Sequence, residues 1–522
     1  MDLEEIMDYV EDSNECFHIN LTRPAASGKP RRIFDESFNP TFTYALFGED
    51  QKLLGYKEPK ILLDFRANDA LPALDISYKE KHDGSRLPAD VKQSLEEFDI
   101  EEPFRDILPE ATFDPDAAAR LVGPDPTSAS WKPPGKLLRS FKQDGRDYEI
   151  WTASLSDQSA LQIFRNMQVF VLLFIEGGSQ LELDEDWTLE RWTLYLLYDV
   201  TPLKDSSISP YTLAGFCTSY RYWIFPTFEI MRATKSLPSP PASSNGDAET
   251  AKPRLTQDPV TFKFNEHIDP LQTQSRERIS QFIILPPFQN QQLGSKLYDT
   301  IYADLAKLPN IYEVAVEDPS EAFDVMRDYS DLMYLRKLPA FQSLSIPSEL
   351  SPDQLRKDAP IPRDLILGNG VDLNALRHEV KIVPRQFNRV LEMHLLSTIP
   401  AGNRSTARLT RKAKSSDEND RKFYFWRLAI KDRIYRQSAD ILDQIEDAAE
   451  KVQLIENSLS GVLDEYLKRL AGLEKREKAA GEEEAHQNGE ASRAKRKRVV
   501  VEDDDEDDMD TQSVASSKKV KA

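Results

Sequence analysis

The sequence predicts a mixed α/β (α+β) fold: an α/β core, a mixed region before it and a helical region after it. Three observations carry this. Between Ile279 and Ser330 the chain reads strand, loop, helix, strand, helix, the order of an α/β core. Upstream, short runs of alternating apolar residues are separated by turn residues. Beyond Pro360, apolar residues recur at spacings of three and four.

Taken in order, residues 1–30 are acidic and then polar, and are expected to be flexible. A mixed α/β domain is expected over 31–157, with strands and turns from Phe38 to Tyr78 and a Pro-rich stretch broken by Pro133 to Lys136. The core is expected over 158–345. Leu161, Phe164, Met167 and Val171 put a helix on Gln158 to Gly177, with Ser156 or Asp157 as its cap. Strands follow at Trp192 to Tyr198 and Leu213 to Phe225, then a polar, Pro-rich insertion at 234–253 that reads as disordered. Ile279 to Leu285 is a strand, Gln291 to Leu308 a helix, and Ile311 to Val316 a second buried strand. Asp318-Pro319-Ser320-Glu321 reads as N-cap, Pro at N1 and an acidic N3. A helical domain is expected over 346–478, with helices at Val383 to Thr398, Lys422 to Ala439 and Ile441 to Leu473. Gly461 is an unfavourable residue for an unbroken last helix. The tail, 479–522, reads as disordered.

Composition narrows the function. Of 522 residues, 40% are hydrophobic and 30% charged, enough for a core, and no run of about 18 apolar residues suggests a membrane span. The acidic start MDLEEIMDYVEDSNE has the wrong chemistry for a signal or transit peptide. Two cysteines, Cys16 and Cys217, cannot build a disulfide framework, and the six histidines lack paired ligand spacing, so no metal site is expected. The net charge of −22 argues against general nucleic-acid binding and for a basic partner. From Ala491 onward eight basic residues balance eight acidic ones, so the whole of this charge belongs to residues 1–490. The KRKR run at Lys495 to Arg498 fits a nuclear import signal, and the acidic run Glu502 to Asp508 beside it fits a histone-associated or a solubilising tail.

Four features can carry chemistry. The strand-to-helix loop PPFQNQQLGSKLYDT sets backbone N–H groups and a helix N-terminus at one point, a geometry suited to pyrophosphate, although most such loops bind nothing. Glu317 at a strand end can serve as a general base or simply begin a turn, while Asp318 is explained by helix capping. Glu176, before two glycines, opposes the helix dipole or is a solvated helix end. Tyr220 and Tyr222 share one face of a strand and Trp223 the other, as ligand site or as core. The acidic turn Glu49, Asp50, Gln51 is solvated by default.

At this point the residues resemble a known family. The order FTYALFGED, LGYKEPKILL, YEIW, FIEGGS, ERW, YRYW, SQFIILPPFQ and VEDPSEAF resembles the catalytic subunits of type B histone acetyltransferases. The likeness runs from about Phe38 to Ser330 and continues more loosely through RQFNRVLEMHLL and FWRLAIKDRI. It implies a GNAT-type acetyltransferase core in which acetyl-CoA lies in the splay between two parallel strands. Phe282, Ile283 and Ile284 would offer strand backbone to the acetyl and pantetheine groups. Gln289, Asn290, Gln291, Gln292, Leu293, Gly294 and Ser295 would wrap the pyrophosphate, with Ser320 nearby. Glu317 matches the catalytic carboxylate, with Glu176 and Asp318 as acidic neighbours. Glu49, Asp50, Gln51, Trp192, Tyr220, Arg221 and Tyr222 match positions that hold the histone tail.

The implied activity is transfer of acetyl to lysine in the tail of newly made histone H4. The implied setting is chromatin assembly in nucleus and cytoplasm, with links to silencing and DNA repair and a WD40-repeat histone-binding partner. Neither a metal, nucleic acid nor a membrane is implied. One departure stands out: the family's loop has the form Q-x-x-G-x-G, and Gln292 replaces the first glycine. That replacement, with the acidic surface, also fits a non-catalytic histone-binding chaperone. A GNAT enzyme for small amines is a third reading.

Overall fold

The computed structural model describes residues 8–25, 27–82, 92–93, 98–124, 126–183, 186–223, 256–266, 271–356 and 358–497. The insertion expected at 234–253 and the acidic run at 502–508 lie outside the described residues. The chain divides into two compact units, Met1–Ala429 and Ile430–Ala522.

In the first unit a four-stranded sheet has the order β3-β2-β5-β6, built from β2 (Phe17–Pro24), β3 (Pro30–Arg32), β5 (Lys60–Arg66) and β6 (Pro72–Ser77). A separate two-stranded ladder pairs β1 (Val10–Asp12) with β4 (Lys52–Leu54). The expectation of a flexible segment over 1–30 is corrected here. Phe17, Ile19 and Leu21 are buried, and β2 runs parallel to β5 inside the sheet. Averaging composition over thirty residues hid the apolar run FHINL behind the acidic start. The polar member of that run, Asn20, is satisfied by Asp64 at 2.7 Å and Ser37 at 2.7 Å.

The second sheet has six strands in the order β12-β11-β10-β9-β8-β7. These are β7 (Lys136–Gln143), β8 (Arg146–Ser154), β9 (Trp192–Asp199), β10 (Thr212–Trp223), β11 (Ser275–Ile284) and β12 (Ile311–Val316). All pairs are antiparallel except β11 with β12. The boundary expected at residue 157 is therefore misplaced, because β7 and β8 belong to the core sheet. Their Asp144-Gly145 turn has φ of 50° and 77°, positive at both central residues, the arrangement that matches the twist of a two-residue hairpin.

Helices α1 (Gln158–Met167) and α2 (Val169–Phe174) join the two sheets. Asp157 caps α1 as expected, its carboxylate accepting from the N–H groups of Ser159 and Ala160. Phe164 packs edge-on against Phe216 of β10, and Phe170 lies 4.5 Å from Phe65 of β5. The predicted core helix is α3 (Leu293–Ala306), and the next is α4 (Glu321–Leu335).

Helix α5 (Pro384–Thr398) and α6 (Glu418–Gln437) match the two helices expected after Pro360. The Trp426 indole donates to the Glu392 carbonyl at 3.0 Å. The last helix, α7 (Ala448–Lys497), starts later than expected and continues past 478, because the Ala-, Glu-, Lys- and Arg-rich stretch there favours helix. Gly461 lies within it without a break. Leu459, Leu463, Tyr466, Leu470 and Leu473 form its buried stripe.

His394 of α5 is 7% exposed and lies 4.6 Å from the Phe341 ring. Burial, reinforced by the Arg336 charge, pushes its imidazole down to about 4. Between pH 6.5 and 4 the unfolded chain therefore takes a proton that the folded one refuses, and stability falls with pH. The expected loss is on the order of 2–3 kcal/mol. His394→Leu should flatten that part of a denaturation-midpoint-against-pH curve, and an unchanged curve would assign the acid sensitivity elsewhere.

Candidate active site

The site begins where β11 and β12 part. Their parallel pairing runs from Ser275↔Ile311 to Ile279↔Val316, and the Glu317 N–H makes a last bond to the Ile279 carbonyl at 2.9 Å. Asp318 then takes a φ of 32°, and Pro319, with no N–H to donate, carries the chain away into α4. Strand β11 continues to Ile284 with β10 on its other side, reaching Gly215↔Ile284. Along Ser280 to Ile284 its β12-side edge is thus left without a strand partner. A register shift between Cys217 and Ser219 adds one residue to β11, and the Thr218 hydroxyl accepts from the Gln281 N–H at 3.2 Å.

Side chains on β11 alternate without exception. Ser275, Glu277, Ile279, Gln281 and Ile283 are buried, while Arg276, Arg278, Ser280, Phe282 and Ile284 are half-buried on the other face. Of the residues expected to offer backbone to a cofactor, Phe282 and Ile284 turn their side chains to this face and Ile283 to the core, while all three lie on the strand edge beyond the last β12 pairing. Phe282 packs edge-on against Phe323 of α4 at 5.0 Å.

The loop after β11 folds on its own amides. The Gln289 side chain donates to the Ile284 carbonyl at 2.8 Å, and that of Gln291 to the Pro287 carbonyl at 3.0 Å. Asn290 and Gln292 both adopt left-handed backbone, with φ of 61° and 60°. Gln292 is the N-cap of α3 but caps nothing with its side chain, so the helix N-terminus opens directly onto the loop. Leu293, Gly294 and Ser295 form its first turn. A Cβ on Gly294 would lie 3.0 Å from the Met326 sulfur, so the glycine lets α3 approach α4. An unpaired strand edge leading to an open helix N-terminus fits an elongated ligand with an amide-bearing arm and a pyrophosphate.

A left-handed φ costs a non-glycine residue about 1–2 kcal/mol, partly offset by the greater unfolded-state freedom of glycine. Gln292→Gly is therefore expected to raise stability by roughly 0.5–1 kcal/mol, readable as a higher urea midpoint at unchanged slope. A lower midpoint would mean that the Gln292 side chain has a packing role.

On the same face of the sheet sits a carboxylate with three donors. Glu317 Oε1 accepts from Tyr220 Oη at 3.2 Å and Arg278 Nη1 at 3.1 Å, and Oε2 accepts from Ser280 Oγ at 2.7 Å. Burial and the Glu317 charge push the Tyr220 phenol up, so it stays protonated and donates. Trp192 lies 4.6 Å from Tyr220, and Tyr222 5.7 Å from it. The structure thus brings Glu317, Trp192, Tyr220 and Tyr222 together.

Other expected site residues fall elsewhere. Arg221, read as substrate-binding, alternates to the opposite face, where it pairs with buried Glu277 at 3.4 Å and donates to the Leu271 carbonyl at 2.6 Å. Asp318, read as a helix cap, is not one: the N-cap of α4 is Ser320, whose hydroxyl accepts from the Phe323 N–H at 3.3 Å. Both residue types cap well, and the backbone turn at Asp318–Pro319 left Ser320 to begin the helix. Asp318 instead lines a cavity of about 410 Å³ with Arg385, Gln386 and Arg389. Glu176 is exposed at the end of α2, and the next residue, Gly177, donates its N–H to Tyr44 Oη at 2.6 Å. From there the chain reaches β11, where Gln281 donates to the Ser179 carbonyl at 3.4 Å. Glu49 and Asp50 are exposed in the turn after Gly48. The Gln51 side chain holds that turn in place, accepting from the Thr43 N–H at 2.9 Å and from Asn14 at 3.1 Å.

Sequence reasoning missed Arg276, Arg278 and Ser280. The predicted strand started at Ile279, so the two arginines stood outside it. Extending the alternation of Ser280, Phe282 and Ile284 backward would have placed both on the Glu317 face. Among the described residues no group of three or more His, Cys, Asp or Glu could hold a metal ion. No helix among them is long and apolar enough to cross a membrane.

A family model described as the histone acetyl transferase HAT1 N-terminus matches residues 9–176. The chain is 35% identical over 494 residues to a histone acetyltransferase type B catalytic subunit of Gibberella zeae, covering 92% of this chain and 94% of that one. The chain belongs to the family of type B histone acetyltransferase catalytic subunits. It is also similar to members from Aspergillus oryzae, 34% identical over 88% of this chain and 85% of the relative, and Aspergillus fumigatus, 35% over 90% and 79%. Histone acetyltransferases of this family take acetyl-CoA as co-substrate and a histone as acceptor, in keeping with the strand edge and the carboxylate just described.

Proposed function

We propose that this chain transfers acetyl from acetyl-CoA to a lysine side chain in the N-terminal tail of histone H4, by direct attack with Glu317 as general base. The observation that carries the proposal is the Glu317 carboxylate at the mouth of the β11–β12 splay. A lysine ammonium, with a pKa of about 10.4, cannot attack a thioester until it loses a proton, and a positioned carboxylate can take it. Acetyl-CoA supplies the activated acyl group. The edge from Ser280 to Ile284 would hold its amide-bearing arm, and the turn from Gln289 to Ser295 its pyrophosphate. Trp192, Tyr220 and Tyr222 form an aromatic wall beside Glu317, suited to the aliphatic stem and charge of a lysine. Net charge of −22 favours encounter with a basic tail.

The family likeness supports a type B setting: action on newly made H4 for chromatin assembly, in cytoplasm and nucleus, with a WD40-repeat histone-binding subunit as partner. The test is transfer from labelled acetyl-CoA to an H4 tail peptide, with acetyl-CoA binding followed by calorimetry. Binding with turnover is expected. Retention of the peptide with neither acetyl-CoA binding nor turnover would replace the proposal with a non-catalytic histone-binding role. Preference for a polyamine over the peptide would replace the acceptor.

A further inference from the structure

Arg278 stands directly across the β10–β11 ladder from Tyr220, on the exposed side of the sheet. Its guanidinium is committed in three directions. Nη1 donates to Tyr220 Oη at 3.0 Å and to Glu317 Oε1 at 3.1 Å, and Nη2 donates to Tyr222 Oη at 3.2 Å. It also lies over the Tyr222 ring at 4.6 Å and near the Tyr220 ring at 5.7 Å. Arg276 completes the arrangement, donating to Tyr222 Oη at 3.2 Å while pairing with Glu313 of β12. Glu313 also accepts from Arg377 at 3.2 Å, so this second carboxylate is taken up away from Glu317.

The two oxygens of Glu317 are therefore unequal. Oε1 accepts from two donors, Tyr220 and Arg278, one for each of its lone pairs. Oε2 accepts from Ser280 alone and keeps one lone pair open. Ser280 is the first residue of β11 beyond the last paired position, so Oε2 is the oxygen on the splay side. We infer that Arg278 is the positioning residue of this site: clamped by Tyr220 and Tyr222, it pins Oε1 of Glu317 and leaves Oε2 as the atom that receives the proton. The inference rests on the general-base reading of Glu317. In the step itself the ammonium N–H bond breaks and its proton joins Oε2. The electron pair left on nitrogen makes the bond to the acyl carbon, and the thioester carbon–sulfur bond breaks with its electron pair going to sulfur. The CoA thiolate takes the second proton from nitrogen and leaves as the thiol. The planar fork of arginine fixes the directions of its donors toward three separated oxygens, whereas a lysine here would bring its three donors to a single point on a flexible stem.

The groups that face the pair are Tyr220 and Tyr222 from β10 and Arg276 and Ser280 from β11, while Asp318, next to Glu317 in sequence, lines the cavity with Arg385 and Arg389. Among the described residues Arg278 is the one positive charge within hydrogen-bonding distance of Glu317. The test compares wild type, Arg278→Met and Arg278→Lys on an H4 tail peptide, recording kcat, KM and acetyl-CoA affinity separately. Arg278→Met is expected to lower kcat by about 30–100-fold, the scale of a misplaced reacting group, with acetyl-CoA affinity within twofold of wild type. Arg278→Lys should recover part of the lost kcat but not all of it. Wild-type kcat in Arg278→Met, or a loss confined to KM or to acetyl-CoA affinity, overturns the inference. If the methionine variant does not fold, the lysine variant alone decides: full kcat would rule out the fork as the positioning element. Wild-type turnover abolished by Glu317→Gln but untouched by Arg278→Met would sink this inference alone, whereas absence of wild-type turnover would sink the general-base reading with it.

Discussion

Glu317→Gln is expected to lower kcat for acetyl transfer by about 10²–10⁴-fold while leaving folding and acetyl-CoA binding intact. Glutamine has nearly the same shape, and its amide oxygen can still accept from Arg278 and Tyr220 in place of Oε1. Its NH₂ group would then face Ser280 Oγ, a hydroxyl able to accept as well as donate. The local network can thus survive the change, and what disappears is the open lone pair on Oε2. Steady-state kinetics from pH 5 to 9, with calorimetric acetyl-CoA binding and a denaturation midpoint as controls, would check all three parts. Turnover within threefold of wild type would move the base to Glu176 or to a chain of waters.

The sequence pattern revealed the parts of this site that depend on local periodicity. Ile311 to Val316 was delimited to the residue, and α3 to within two residues at either end, because buried strands and amphipathic helices declare themselves at short range. Glu317 was recognisable from its place at a strand end and from the family likeness. What stayed hidden depends on contacts between distant segments. Arg278 reads as one charge in the polar run QSRER until β10 places Tyr220 and Tyr222 beside it. Arg221 looks identical in kind, yet one step of alternation sends it to buried Glu277. The Asp144-Gly145 hairpin carried a readable signal, but only pairing with β9 shows that β7 and β8 extend the core sheet. For Gln292 the substitution was visible and its consequence was not, since a positive φ is a property of the folded loop.

Gly215→Ala is the substitution expected to damage the cofactor strand most directly. Gly215 lies opposite Ile284, and its other neighbour, Leu197, sits at a register shift where β10 has one residue more than β9. A Cβ at this position would come 2.4 Å from the Ile283 carbonyl oxygen and 3.1 Å from Ile284 Cα. Both are backbone atoms, so no rotamer change relieves the clash, and β10 and β11 must separate. The Leu285 N–H bond to the Ala214 carbonyl, 2.9 Å long, would stretch with them. The expected cost is about 3 kcal/mol, the upper end for overpacking in a well-packed region. Because the displaced backbone is Ile283–Ile284, acetyl-CoA affinity should fall by more than tenfold. The Glu317 cluster lies at the opposite end of the same ladder, where Tyr220 pairs with Arg278, and should keep its geometry. At saturating acetyl-CoA, kcat should therefore recover to within a few-fold of wild type, separating damage to the cofactor strand from damage to the base. An alanine variant with wild-type stability and acetyl-CoA affinity would show that the two strands can part at no cost, and that the ligand does not lean on the end of β11.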